Sequence, residues 1–208
     1  MRTAAVGGGR RPARREPRKS SGMDHLQPAK EATYPGGKHI VVEFRHVTTD
    51  ADIAAVARLA DRIWNEHYEP IIGQQQVDYM LENFQSKEAI ADQVAGDFEY
   101  YLLCRDGEEV GYLAVVAKPD HAKMKLSKIY VRDDLRGEGL GREMMEFAED
   151  LCRQWGYEAL WLTCNKHNKN SLAFYKHMGF QNTGPVVQDI GEGYVMDDYR
   201  MEKAVDGG

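Results

Sequence analysis

The sequence predicts an α+β domain built on a mixed, mainly antiparallel sheet. Two observations carry that prediction. Three consecutive strand-like segments with turn residues between them occupy the middle of the chain, which a simple alternation of strands and helices cannot produce. Apolar residues with helical spacing bracket them: Ile53, Val56, Ala57, Ala60, Ile63 and Trp64 before, and Met144, Met145, Phe147, Ala148 and Leu151 after.

Taken in order, residues 40–47 alternate as a first strand. Thr49 and Asp50 offer helix N-caps to the periodic run that follows. Pro70 is expected to end that helix. Val77, Met80, Leu81 and Phe84 mark a second helix, and Ser86 with Glu88 and Ala89 starts a short third one. Residues 99–105 and 110–117 form a hairpin around Asp106-Gly107, and Pro119-Asp120 marks the next turn. Residues 124–131 are a fourth strand. A glycine-rich loop over 136–141 leads into a helix that ends at Gly156. Residues 159–164 are a fifth strand and 171–178 a short helix closed by Gly179. Two final strands, 180–189 and 194–201, flank Gly191-Glu192-Gly193, for seven strands in all.

A chain of 208 residues is expected to hold one domain. No apolar run approaches the roughly 20 residues that a membrane span needs. Charge is unevenly spread. Residues 1–22 carry seven basic side chains against Glu16, a net of +6, so that residues 23–208 carry −12 of a chain total of −6. An acidic surface repels nucleic acid and favours cationic partners. Residues 1–37 are rich in Gly, Pro, Arg and Ser without apolar periodicity. They read as a disordered basic extension ahead of a domain spanning 38–204. Cys104, Cys152 and Cys164 are too far apart for metal-ligand spacing and read as buried thiols of a cytoplasmic protein, with no metal expected.

The loop from Val131 to Arg142 contains Arg136, Gly137, Glu138, Gly139, Leu140 and Gly141 between a strand and a helix. The first N–H groups of a helix lack internal partners and sit at the positive end of its dipole, which suits a phosphate or pyrophosphate. A P-loop needs Gly-Lys-Ser/Thr, but here Arg142-Glu143 follows Gly141. A dinucleotide fingerprint begun at Gly137 breaks at Arg142, and begun at Gly139 it breaks at Met144. The spacing that remains is Arg-x-x-Gly-x-Gly, met by Arg136, Gly139 and Gly141.

That motif resembles the hallmark of the GNAT superfamily of N-acetyltransferases. A second one agrees with it: Asn168 seven residues before Tyr175, followed by Gly179-Phe180. The resemblance covers about residues 40–202. It implies a three-layer α/β/α sandwich with helices on both faces of the sheet, and acetyl-CoA as co-substrate. It also implies that the amides from Arg136 through Gly137, Glu138, Gly139, Leu140 and Gly141 to Arg142 hold the pyrophosphate. Ile129, Tyr130 and Val131 would pair with the pantetheine like an added strand, the Val131 N–H facing the developing oxyanion. Asn168 would fix the pantetheine or the start of the last helix, and reads equally well as a helix N-cap. Tyr175 matches the family's acid for the leaving thiolate. No carboxylate lies on the fourth strand, where Lys125 and Lys128 stand, so the base candidates are Glu66, His67 or a water chain.

The stretch around Glu66, His67 and Tyr68, with the acids Asp189, Glu192, Asp197 and Asp198 near the end, resembles a bacterial branch of diamine and polyamine acetyltransferases. It implies a small cationic amine as acceptor, bound by Glu66, Tyr68, Asp189 and Asp197. Neither nucleic acid nor membrane is an expected partner, and a homodimer is the assembly allowed for. Two other readings stand beside it: an acetyltransferase for a protein lysine, an N-terminus or an amino acid, and a non-catalytic acyl-CoA sensor.

Overall fold

The computed structural model describes residues 30–34, 38–117 and 122–205. They form one eight-stranded sheet: β1 Lys30–Tyr34, β2 Lys38–His46, β3 Phe98–Arg105, β4 Glu108–Val116, β5 Lys123–Val131, β6 Ala159–Asn165, β7 Gln181–Gly191 and β8 Tyr194–Ala204. The spatial order is β1-β2-β3-β4-β5-β6-β8-β7. All neighbours are antiparallel except β5 and β6. This is the mixed sheet expected, with one strand more. β1 pairs its backbone with β2 inside the segment that composition assigns to the extension. The rest of that segment, residues 1–29 and 35–37, and the Pro119-Asp120 turn lie outside the described residues.

Helices cover both faces. α1 (Asp50–Ile72), α2 (Gln74–Phe84) and α3 (Lys87–Ala95) pack on one, and α4 (Leu140–Gln154) and α5 (Lys169–His177) on the other. Strand alternation divides the core between them. Tyr101 and Leu103 of β3 face α4, whereas Tyr100, Leu102 and Cys104 face α1–α3. Phe147 of α4 stacks on Phe44 of β2 at 4.1 Å between ring centroids.

Local signals explain the boundaries. Thr49 caps α1 in a reciprocal box with Asp52. The helix does not stop at Pro70 as expected. Pro70 sits in the last turn, where its missing N–H removes one bond, and the chain turns only at Gly73, whose φ is 82°. Asp106 and Gly107, both with positive φ, make the β3–β4 hairpin.

The feature that creates a site is the meeting of β5 and β6. They pair at only three positions, Lys123–Lys125 with Ala159–Trp161. Just beyond, β5 carries a bulge: Ala114 of β4 faces Lys128 and Val115 faces Leu126, leaving Ser127 unmatched. A bulge bends its strand and increases its twist. β5 therefore veers away from β6 and follows β4, while β6 stays with β8 along its whole length. Gly111 of β4 permits the close approach, since a Cβ there would lie 2.5 Å from the Tyr130 carbonyl oxygen.

Candidate active site

The splay opens a cavity of about 920 Å³ through the sheet. On the α4–α5 side it is lined by Gly137, Gly139, Gly141, Arg142, Phe174 and Tyr175. On the α1–α2 side it is lined by Trp64, Tyr68, Met80 and Phe84.

The mouth of α4 closes one end. Gly139 is its N-cap, with φ of 88°, and no side chain caps the helix. Leu140 is buried in the core and anchors the first turn. Glu138 turns outward to Arg105 at 2.5 Å. Only the backbone of these two residues is thus available to a ligand, while Gly137, Gly139 and Gly141 line the cavity directly. Gly141 also admits Phe174, which lies 3.4 Å from where a Cβ would stand. Three glycines and an uncapped helix start form a cradle of the shape and polarity that a pyrophosphate needs.

Ile129, Tyr130 and Val131 line the cavity from β5. Beyond Lys125 the β6-facing edge of β5 has no strand beside it. The Tyr130 side chain lies on the α1 face, within 5.8 Å of the Trp64 ring and 6.1 Å of the Tyr68 ring.

Tyr175 and Asn168 come from α5. Tyr175 is 9% exposed, lines the cavity, and has its phenol pKa held well up by burial, so it stays protonated. Asn168 is the N-cap of α5: its Oδ1 accepts from the Ser171 N–H at 3.2 Å. Its Nδ2 meets His67 Nε2 at 3.1 Å. On the other side of that ring, Arg136 Nη1 lies 2.9 Å from Nδ1 and also pairs with Asp133 at 2.6 Å. Both neighbours of His67 are donors, and a neutral imidazole has one acceptor nitrogen, so one contact alone is a hydrogen bond. Burial first, and then Arg136, lower the His67 pKa, which keeps the ring neutral. Its lone pair is already engaged.

The remaining expected residues disperse. Tyr68 lines the cavity, its hydroxyl pKa pushed up to about 12 by burial. Glu66 does not line it. The carboxylate is exposed and pairs with Arg62 at 3.0 Å. Asp189 is exposed and accepts from the Gly191 N–H within the hairpin turn. Asp197 pairs with Lys166 away from the cavity. Glu192 sits exposed in the turn with φ of 51°. Of the acids near the chain end, Asp198 alone enters the cavity. It is 3% exposed, and burial raises its pKa against the opposing Thr163 hydrogen bond.

Sequence reasoning did not anticipate Lys128 in this setting. Its ammonium donates to Phe84 O at 3.0 Å, to Gln93 Oε1 at 2.7 Å and to the Tyr100 hydroxyl. Burial, then Lys125, lower its pKa to about 7, yet three acceptors around one nitrogen favour the charged form, and we read it as a structural cation. Cys104, Cys152 and Cys164 are buried and free. Cys164 lines the cavity, its thiol pushed up to about 12 by burial. No helix among the described residues is long and apolar enough to cross a membrane.

The sequence pattern of the acetyltransferase (GNAT) family matches residues 56–180. An uncharacterized N-acetyltransferase of Lactobacillus delbrueckii subsp. lactis is 31% identical over 133 residues, covering 60% of this chain and 76% of that protein. Among solved structures, the PaiA N-acetyltransferase of Thermoplasma acidophilum in complex with coenzyme A superposes with a TM-score of 0.65 at 19% identity, over 78% of this chain and 98% of that one. A GCN5-related N-acetyltransferase from Rhodopseudomonas palustris gives 0.66 at 16% identity, over 84% and 98%. These two likenesses bear on the fold alone. With the family pattern spanning the splayed strands, the α4 mouth and Tyr175, the chain belongs to the GNAT family and is an acetyl-CoA-dependent N-acetyltransferase.

Proposed function

We propose that the chain moves the acetyl group of acetyl-CoA to the primary amine of a small cationic substrate, by direct attack while both are bound. The observation that carries this reading is the passage through the sheet. A cradle of unpaired amides at one end and a separate aromatic chamber at the other are joined where β5 leaves β6. Two ligands can enter from opposite faces and meet between the strands, which supplies proximity that contributes several kcal/mol of barrier lowering.

The amides of residues 137–141 would hold the pyrophosphate, a narrower span than expected, because the Arg136 N–H donates to Asp133 O at 3.2 Å and the Arg142 N–H to Gly139 O at 2.9 Å; the open edge of β5 from Ile129 to Val131 would pair with the pantetheine. Acetyl-CoA supplies an activated acyl group. The Val131 N–H would face the carbonyl oxygen as charge develops there. Tyr175 would protonate the departing sulfur. A free thiol titrates near 8.5, which makes its thiolate a weak match for a buried phenol. In this cavity, however, burial drives the Cys164 thiol up to about 12. Burial thus raises thiol and phenol alike in this cavity, which narrows the mismatch in basicity.

The polyamine expectation rested on four acids near the last hairpin, and one of them faces the cavity. A small cation recognised at a single charge is the form of that reading the geometry supports best. Incubating the protein with acetyl-CoA and a panel of amines, and following free thiol, tests the proposal: thiol should appear with one or more primary amines. Tight acetyl-CoA binding with no thiol release across a broad panel would favour the acyl-CoA sensor.

A further inference from the structure

Asp198 stands apart from every other carboxylate of the described residues. It is 3% exposed and lines the cavity, and although Thr163 donates a hydrogen bond to the carboxylate, its Oδ1 has no partner. No other Asp or Glu among the described residues lines that cavity. A buried carboxylate oxygen without a partner costs several kcal/mol, and an ammonium would supply the missing donors. Trp64, Tyr68, Met80, Phe84, Ile190 and Met196 line the same cavity, with the cations Lys125 and Lys128 and the amides of Gln85 and Gln188. Aromatic faces attract a cation, and Met80, Ile190 and Met196 add apolar surface for the body that carries it. The cavity roof is pinned to α2 where the Tyr79 hydroxyl donates to Ile190 O at 2.5 Å and Gln76 Nε2 donates to Val195 O at 3.3 Å.

We infer that Asp198 seats the ammonium of the acceptor and takes its proton, while the aromatic and apolar lining selects an alkyl or aryl body, so that the preferred acceptor is a monoamine on an apolar frame. This rests on the acetyl-transfer reading above. A second ammonium on the same frame would find no further carboxylate and would share the cavity with Lys125 and Lys128, which disfavours diamines of equal length.

The step balances. The ammonium gives one proton to the Asp198 carboxylate, and the freed nitrogen pair forms the N–C bond to the acetyl carbon. The C–S bond breaks with its electron pair on sulfur. Tyr175 gives its proton to the departing sulfur, and the second N–H proton, lost as the amide forms, passes back to the Tyr175 phenolate. Asp198 then returns its proton to solvent. Burial and then six neighbours set its titration: Thr163 and Cys164 from β6, Asp197 on its own strand, Lys125 from β5, Lys166 beyond β6, and Tyr68 from α1.

The test uses the full chain and Asp198→Asn. With phenethylamine, kcat/KM should fall at least about 100-fold, the size expected when a general base is lost. Acetyl-CoA affinity by calorimetry should change by less than about twofold. With O-benzylhydroxylamine, uncharged at neutral pH, the loss should be under about tenfold, because no proton need leave before attack. The acid limb of the wild-type pH profile should vanish in the variant. Wild type should prefer hexylamine to 1,6-diaminohexane. Calorimetry of phenethylamine binding to the CoA-loaded protein needs no turnover, and Asp198→Asn should weaken it more than about tenfold. Equal losses for both amines, unaltered binding, or a preference for the diamine would overturn the inference. Wild type that binds acetyl-CoA but neither binds nor acetylates these amines would also overturn it and leave the cofactor site standing. Failure to bind acetyl-CoA at all would remove the acetyl-transfer reading itself.

Discussion

The two ends of the cavity are built from different materials. The α4 end is chiefly backbone: glycines at 137, 139 and 141 and the free amides among them, with Glu138 and Leu140 turned away and Arg142, Phe174 and Tyr175 alongside. The opposite end is made of side chains that meet from α1, α2, β5, β7 and β8. A backbone cradle depends on a few residues close together in the chain. A side-chain chamber depends on register between elements more than a hundred residues apart. The first kind of site holds one common ligand, and the second kind is free to vary with the acceptor.

If that division is right, damage at the junction should cost most in chemistry and least in binding. Tyr175→Phe removes the phenol proton and keeps the ring in the core beside Phe174 and Phe180. The expected outcome is a kcat lower by about 100-fold, with acetyl-CoA affinity within about twofold of wild type. Steady-state kinetics beside calorimetry decides it, and wild-type turnover would remove Tyr175 as the acid.

Damage to the backbone end should instead appear in cofactor affinity. Gly139→Asp puts a side chain on a residue with φ of 88° and a negative charge at the helix mouth. Acetyl-CoA should bind about 10- to 100-fold more weakly, a loss of about 1.4 to 2.7 kcal/mol. A thermal melt run alongside guards against simple unfolding. Normal affinity in a folded variant would move the pyrophosphate elsewhere.

The same division explains what could be read in advance. Arg136, Gly139 and Gly141 stand out in the sequence because the role proposed for them depends on spacing within six residues. Asn168 and Tyr175 are candidates for a similar reason, seven residues apart in one motif. The acidic cluster was not resolved, because adjacent strand residues point to opposite faces, and nothing local says whether Asp197 or Asp198 turns inward. The pattern that could have said so is Met196 with Asp198, an apolar residue two places before an acid on the same face. β1 was hidden because an edge strand needs only backbone pairing on one side and carries little hydrophobic pattern. Pro70 misled because one proline in a last turn costs a single hydrogen bond, which a helix of 23 residues tolerates.

A smaller effect should separate the two contacts of Asn168, the cap on Ser171 and the approach to His67. Asn168→Ala removes the cap on Ser171 and should cost about 1 kcal/mol of stability, or about 2–4 °C in Tm for a domain of this size. Asn168→Asp keeps an acceptor for that N–H and should recover most of the loss. Equal destabilisation in both variants would mean that the Nδ2 contact to His67, and not the cap, is what matters.

The smallest effect concerns His67, which bridges the two ends by touching Arg136 on one side and Asn168 on the other. Its folded pKa lies below the unfolded one, chiefly through burial and then through Arg136. Between those two values the unfolded chain binds more protons, so stability rises with pH across that window. The full contribution is present above the ordinary histidine pKa of about 6.5 and drains away as pH falls from there through the folded value. Denaturant unfolding at pH 8 and at pH 5.5 should therefore show a gap for wild type that narrows in His67→Gln. A gap of unchanged width would mean that the ring reaches water in the folded state and takes up its proton there. Arg136 would then not be held against a neutral imidazole, and the guanidinium would be less poised to turn toward a phosphate at the helix mouth.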